Sequence, residues 1–147
     1  MKKLISLLTI AFLTLFSLNL LAQHKKDAST VNKVFIDAKG GIYNHDGTKL
    51  GYIDKGDIVR NAKGQKVYFI DKEGNVVDAN GKNLGKAQKN GSYYNLQGEN
   101  VITVKDKNAE ECEILDPSGH NLGTVHKNYK LHACAAHCLA IKEKKGQ

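Results

Sequence analysis

The stretch Ile42-Tyr43-Asn44-His45-Asp46-Gly47-Thr48-Lys49-Leu50-Gly51-Tyr52-Ile53 contains the pattern that decides the fold. Asn44 precedes Gly47 by three residues, and this Asx-x-x-Gly tetrad returns at one constant interval, with an insertion before the fifth copy. The five tetrads are defined by Asn44 and Gly47, Asn61 and Gly64, Asp78 and Gly81, Asn95 and Gly98, and Asp116 and Gly119. Recurrence at a fixed spacing, here about 17 residues, indicates a repeat architecture.

Each tetrad has the residues that a type I turn requires. The Asx side chain at the first position accepts hydrogen bonds from turn amides, and the glycine at the fourth adopts a left-handed conformation that a Cβ atom disfavours. A type I turn followed by such a glycine closes a short hairpin loop with a bulge. We therefore predict a β-hairpin at each tetrad and assign a structural role to the ten Asx and Gly residues.

A second set of turn sequences lies between the tetrads. With two turns in each repeat unit, roughly four to six residues remain for each strand, which is an ordinary strand length. The second turns are Asp37–Gly40, Asp54–Asp57, Asp71–Gly74, Gln88–Gly91 and, beside the insertion, Lys105–Asn108. Turn glycines at this frequency disfavour a helix.

Three columns of apolar residues between the turns predict which side chains face the core. Two columns lie three residues apart, which breaks strand alternation and predicts a bulge near Gly51, Gly85 and Gly123. The columns are Ile42, Val59, Val76, Tyr93 and Ile114; Leu50, Val67, Leu84, Val101 and Leu122; and Ile53, Ile70, Ala87, Val104 and Val125. A single hairpin buries too little surface to be stable, so we expect all five to share one core.

The repeat domain is expected to span residues 33–132 and to end in two half-units. Lys33–Ile36 resembles a second strand without its first, and Leu131 follows Ile114 by one repeat interval, as a first strand without its second would. Pairing of these half-units would close the sheet and remove its edges. The predicted fold class is all-β: five tandem β-hairpin repeats of about 17 residues in an antiparallel meander, closed five-fold, with a short C-terminal apolar tail.

Three further segments are assigned from composition. Residues 1–22 have a basic start and an apolar run that ends at Ala22-Gln23, which is typical of a signal peptide cleaved at that bond; a membrane anchor is the alternative. Residues 23–32 form a polar lead-in, and residues 133–147 an apolar segment with a basic tail. We expect a secreted or periplasmic protein that meets the membrane only through its signal peptide.

The charge of the chain is moderately positive. It falls from +7 to +5 when Lys2 and Lys3 leave with the signal peptide. Much of the remaining excess lies in lysines near the two termini, as in solvated tails, and Arg60 is the one arginine. We therefore expect no nucleic-acid binding, because that function requires clustered cations.

The C-terminal segment carries the candidate metal ligands. If it is helical, Cys134, His137 and Cys138 stand on one face. Together with His132 they form a candidate Zn²⁺ or Cu(I) site. The alternative is an apolar plug, because alanine, leucine and free cysteine are residues that fill cores. Apart from zinc or copper at this cluster, no cofactor is expected.

The three cysteines allow one disulfide with one thiol left over. Cys112 with Cys134 or Cys138 is the expected pairing, because a helix does not give residues four apart a suitable disulfide geometry. No catalytic residue is predicted. The tail has no third group to orient a Cys–His pair, and the aspartates at turn starts are explained by capping.

The aromatic residues form a candidate surface for stacking sugars, although such residues also serve as cross-strand packing pairs. They are Phe35, Tyr43, Tyr52, Tyr68, Phe69, Tyr93, Tyr94 and Tyr129.

The repeat resembles that of the 5-fold beta-flower proteins, which are small secreted bacterial proteins. The resemblance rests on tandem units like Ile42–Ile53 and on the small apolar tail with His132-Ala133-Cys134-Ala135-Ala136, and it covers essentially the whole mature chain. It implies five hairpin petals around a common centre and brings no active-site residues. The chain departs from the family in its His137-Cys138 pair and in the insertion near Asn108.

From these features we expect an exported, non-enzymatic binding or structural module of the periplasm or cell exterior. A metal-binding protein that uses the C-terminal His/Cys cluster and a glycan-binding module that uses exposed tyrosines are the alternatives. A cell-surface glycan or another envelope protein is the expected kind of partner.

Overall fold

The structure is a computed structural model that describes residues 33–146. The predicted signal peptide, the polar lead-in and the last residue lie outside the described residues. A 3-10 helix (Lys127–His132) and helix α1 (Ala133–Lys145) follow the strands. The strands are β1 (Val34–Ile36), β2 (Gly41–Asn44), β3 (Lys49–Asp54), β4 (Ile58–Asn61), β5 (Lys66–Ile70), β6 (Asn75–Asp78), β7 (Asn83–Ala87), β8 (Tyr93–Asn95), β9 (Asn100–Asp106), β10 (Glu111–Leu115) and β11 (Asn121–His126).

These strands form one closed barrel in which each strand pairs with its neighbours in sequence. Every such pair is antiparallel. The barrel closes where β1 pairs with β11 in parallel, from Val34 opposite Gly123 to Ile36 opposite Val125. Parallel closure follows from the strand count: when directions alternate through an odd number of strands, the first and last run the same way.

The structure confirms the all-β class and corrects its details. The described residues form eleven strands rather than five hairpins, because β1 adds a strand to the five pairs that flank the tetrads. Leu131 is not in a strand, and the predicted pairing of residues 33–36 with residues near Leu131 is wrong. The chain leaves the sheet after His126, and the apolar tail is helical, in keeping with its alanine content.

The five tetrads lie in turns with a common hydrogen-bond pattern. In the first, the Gly47 amide donates to the Asn44 carbonyl at 3.1 Å. The Asn44 Oδ1 atom accepts from the amides of Asp46 and Thr48 at 3.0 and 2.9 Å. All five glycines of the tetrads have a positive φ. The Asx side chain thus satisfies amides that the turn leaves without a backbone partner.

Each hairpin contains a bulge that sets the apolar columns three residues apart. In the first, Gly51 lies opposite Ile42 and Lys49 lies opposite Tyr43, so Leu50 is the extra residue. The bulge therefore lies one residue before the predicted glycine. Because Leu50 bulges, both it and Ile53 pack against the core despite the odd spacing.

Helix α1 fills the middle of the barrel. Ala133, Ala135, Ala136 and Leu139 are fully buried and belong to the same core cluster as the inward residues of the strands. Alanine side chains let the helix backbone fit within a barrel whose wall already contributes isoleucine and valine. Within the described residues, no helix is long and apolar enough to cross a membrane.

The 3-10 helix crosses the end of the barrel opposite the tetrads and leads the chain inward. The Tyr129 ring packs on Gly40, where a Cβ atom would lie 3.0 Å from the Tyr129 Cζ. Lys130 Nζ binds Asp106 Oδ1 at 2.5 Å. These contacts attach the 3-10 helix to the turns at both sides of that end and fix where α1 enters.

Candidate functional sites

His132 joins the start of α1 to the wall. Its side chain is 5% exposed, and its Nε2 atom lies 3.0 Å from Asp57 Oδ1. Asp57 is held at φ 62°, a left-handed conformation that costs a residue with a Cβ atom about 1–2 kcal/mol. Burial lowers the pKa of His132, and the Asp57 carboxylate opposes that shift only in part. The arrangement suits a packing contact between helix and wall.

The other candidate ligands of the tail face the packed interior. Cys134 is buried, and His137 and Cys138 are half-buried. Burial raises the pKa of both thiols and lowers the pKa of His137. Thiols with raised pKa values stay protonated at neutral pH, whereas a metal requires the thiolate.

The structure does not bring the predicted metal ligands together. Among residues 33–146, no three His, Cys, Asp or Glu side chains are grouped closely enough to hold a metal ion. His132 instead faces Asp57. The predicted disulfide is not formed either: Cys112, Cys134 and Cys138 are free thiols.

Cys112 belongs to a different cluster, at the end of the barrel that the 3-10 helix covers. Its Sγ atom donates to Asp106 Oδ1 at 3.3 Å, and Lys130 Nζ contacts the same oxygen. The hydrogen bond from Lys130 and, to a smaller extent, the one from Cys112 lower the pKa of Asp106. Burial raises the pKa of the Cys112 thiol. The cluster links β9 and β10 to the 3-10 helix.

The outside of strands β1–β8 carries aromatic and cationic side chains, and we call it the aromatic face. Cross-strand pairs assign its members: Phe35 lies opposite Tyr43, and Tyr52 lies opposite Arg60. Its aromatic members are half-buried, which leaves part of each ring accessible. The aromatic face consists of Phe35, Tyr43, Tyr52, Phe69 and Tyr94 with Lys49, Arg60, Lys66 and Lys86.

Two cations lie directly over aromatic rings of this face. Lys49 Nζ is 5.6 Å from the centroid of the Tyr52 ring, and Lys66 Nζ is 5.0 Å from that of Phe69. Both distances lie within the range of cation–π attraction. Arg60 is held between them, with Nε donating to Asp54 at 2.8 Å. Ring and positive charge are therefore paired at successive places on the wall.

The outside of β9–β11 differs in composition, and we call it the polar face. These strands contain no tyrosine or phenylalanine. Thr103 pairs with Leu115, and Glu113 pairs with Lys105 and Thr124. An open groove of about 350 Å³ lies on this side and is lined by Asn100, Thr103 and Leu115 among others. The groove offers amide, hydroxyl, ammonium and carboxylate groups but no aromatic ring.

Sequence reasoning identified the aromatic residues but not the face that they form with the cations. The signal is present in the repeat register. Phe35, Tyr52 and Phe69 follow one another at the repeat interval, as do Lys49 and Lys66. Assigning these columns to the outside requires the position of the bulge, and the sequence alone places that bulge one residue late.

The fold and its surfaces define a closed β-barrel with an internal C-terminal helix and an aromatic outer face. The chain belongs to the 5-fold beta-flower protein family, whose sequence profile it matches over residues 22–139. The match covers the barrel, the 3-10 helix and about half of α1. Searches of curated proteins and of solved structures found no significant match.

Proposed function

We propose that this protein is an exported, non-enzymatic binding module whose ligand is a glycan bound on the aromatic face. One observation carries the proposal: aromatic rings with part of their surface accessible are gathered on the outside of β1–β8, while the polar face has none. Aromatic rings with neighbouring polar groups suit sugars, because a sugar ring presents C–H groups to the ring face and hydroxyls at its edge.

The interior supports an outer binding surface. Helix α1 occupies the middle of the barrel with side chains such as Leu139, which is fully buried. Small-molecule sites are usually concave spaces lined by apolar groups, and here the apolar interior is already filled by the chain. Recognition is therefore assigned to the wall.

A glycan array tests the proposal. Mature protein is applied to neutral, amino and acidic glycans beside the variants Tyr52→Ala and Leu115→Ala, which truncate one apolar side chain on each outer face. Wild type and Leu115→Ala are expected to bind the same glycans, and Tyr52→Ala is expected to lose most of the signal. An empty array for wild type, or equal signals for all three proteins, contradicts the proposal.

A further inference from the structure

The aromatic face has a repeat of its own. Phe35, Tyr52 and Phe69 occupy equivalent positions on β1, β3 and β5, each one repeat interval after the last. Neighbouring strands lie about 4.8 Å apart, so equivalent positions on successive hairpins are about 10 Å apart along the wall. A ligand that contacts more than one of them must be long, and a repeating polymer suits the arrangement best.

A cation accompanies two of the three rings, Tyr52 and Phe69, at the same interval. Lys49 lies over the Tyr52 ring, and Lys66 lies over the Phe69 ring. Lys86 occupies the next equivalent position after Phe69. Tyr52 with Lys49 and Phe69 with Lys66 therefore each offer a stacking surface and one positive charge, about 10 Å apart, while β1 adds a ring and β7 adds a cation.

The charge density of the face is low. Asp54 pairs with Arg60 at 2.8 Å and places a carboxylate between the two lysine–aromatic pairs. The Asp37 carboxylate, by its charge and by hydrogen bonding, raises the pKa of Tyr43. A polyanion with a charge on every unit would meet these carboxylates, whereas a sparsely charged chain would not.

We infer that the aromatic face binds a polysaccharide that carries one carboxylate per disaccharide, laid across β1, β3, β5 and β7. An interval of about 10 Å is comparable to the length of a disaccharide in an extended chain. At Tyr52 and Phe69 the exposed lysine moves off the ring, one sugar stacks there, and the carboxylate of the acidic sugar pairs with the displaced ammonium. The inference rests on the proposed function and names its ligand class.

Calorimetry with defined polymers tests the inference. Hyaluronan oligosaccharides carry one carboxylate per disaccharide, polygalacturonate carries one per sugar, and dextran carries none. Poly-glutamate and vesicles of anionic phospholipid supply charge without sugar. Wild type is expected to bind hyaluronan oligosaccharides at least about 10-fold more tightly than the other probes, because dextran, poly-glutamate and vesicles each lack either the charge or the sugar, and the additional carboxylates of polygalacturonate meet Asp37 and Asp54.

Two matched pairs of substitutions identify the contact. Tyr52→Ala with Phe69→Ala is expected to weaken hyaluronan binding by about 100-fold, since each stacking contact contributes about 10-fold. Lys49→Gln with Lys66→Gln is expected to weaken it by about 10-fold and to reduce its salt dependence. Thermal unfolding of each variant establishes that it is folded before titration.

The remaining outcomes overturn the inference in distinguishable ways. Dextran bound as tightly as hyaluronan, with loss in the aromatic variant, overturns the ligand class and leaves the proposed function standing. Poly-glutamate or vesicles bound as tightly, with loss only in the lysine variant, would mean unspecific ionic attraction. Failure to bind any of the glycans here overturns the inference, and an empty glycan array as well overturns the proposed function.

Discussion

The aromatic face and the polar face are built on the same hairpin repeat but carry different side chains. At equivalent outward positions, Tyr52 and Phe69 of β3 and β5 correspond to Thr103 and Thr124 of β9 and β11. Lys49 likewise corresponds to Asn100. The inward column at the same level stays apolar and buried in every hairpin: its members are Ile42, Val59, Val76, Tyr93 and Ile114.

The difference separates what the fold requires from what it leaves free. Inward columns must fill one core, so every hairpin supplies an apolar residue there. Outward columns are under no such requirement, because threonine and tyrosine both suit a strand. The aromatic residues that β1–β8 carry and β9–β11 lack are therefore not required by the fold, and we propose that they serve binding.

The largest effect on stability is expected from a substitution in the core of the barrel, which supports both outer faces. Leu139 is fully buried and lies close to Gly51. Leu139→Ala is expected to lower the free energy of unfolding by about 2–5 kcal/mol, because it removes buried methyl groups and leaves a cavity. Urea denaturation measures the change.

The matched control is Leu96→Ala, at a leucine that is 60% exposed. It is expected to change the free energy of unfolding by less than about 0.5 kcal/mol. Equal effects at the two leucines would mean that α1 does not fill the barrel in solution, and the two faces would then lack a common support.

A smaller effect is expected from the contact between His132 and Asp57. Burial lowers the pKa of His132 below its usual value of 6.5. As the pH falls through 6.5, His132 therefore binds a proton in the unfolded chain but not yet in the folded chain. This contribution to stability is present above about pH 6.5 and is lost as the pH falls toward the folded pKa. The slope is at most about 1.4 kcal/mol per pH unit for one group.

Urea denaturation between pH 7.5 and 5 measures this slope in His132→Asn. Asparagine keeps a hydrogen-bond donor toward Asp57 but does not titrate, so the slope is expected to flatten, with a remainder from His137. Leu96→Ala, which removes no titratable group, is the control and is expected to keep the wild-type slope. An unchanged slope in His132→Asn would contradict the assigned burial.

A modest gain in affinity for hyaluronan is expected when an aromatic ring is added to the polar face. Thr124 lies opposite Phe35 across the β1–β11 closure. Thr124→Tyr therefore extends the row of rings by one strand, and we expect hyaluronan oligosaccharides to bind about threefold more tightly. Thr124→Val keeps the β-branched shape without a ring and is expected to leave the affinity unchanged. The same gain in both variants would show that the added ring is not the cause.

The smallest effect is expected from metal ions. Because Cys134 and Cys138 are protonated thiols in a packed interior, we expect no Zn²⁺ binding tighter than about micromolar in the reduced protein. Titration with a chromophoric zinc competitor measures it. Tight Zn²⁺ binding that is lost in Cys138→Ser would contradict this expectation, because it would show that the thiols of α1 form a metal site inside the barrel.

Much of the wall is predictable because its signals are local. The turns follow from Asx and Gly three residues apart, and the core columns follow from the repeat. The closure of the barrel is harder to predict from sequence. It depends on whether β1 pairs with the segment around Leu131 or with β11, and no local pattern distinguishes the two. The same holds for the pairing of Asp57 with His132, which are 75 residues apart in sequence.

In the candidate site, too, the local features are predictable from sequence and the three-dimensional arrangement is not. The aromatic residues are visible in the sequence, but their side of the wall depends on a bulge at Leu50 that local alternation does not locate. The tail presents the converse case. Its cysteines and histidines are typical of metal ligands, and only the packing of α1 into the barrel shows that they face buried space.

Amide chemical-shift mapping shows which surface of the barrel a glycan contacts, and so tests whether recognition belongs to the aromatic face. Isotope-labelled mature protein is titrated with a hyaluronan oligosaccharide, and the shifted amides are placed on the barrel. We expect the shifts to cluster on β1–β8 around Tyr52 and Phe69 and to leave β9–β11 unchanged. Shifts centred on β9–β11, or on the 3-10 helix and α1, would contradict it.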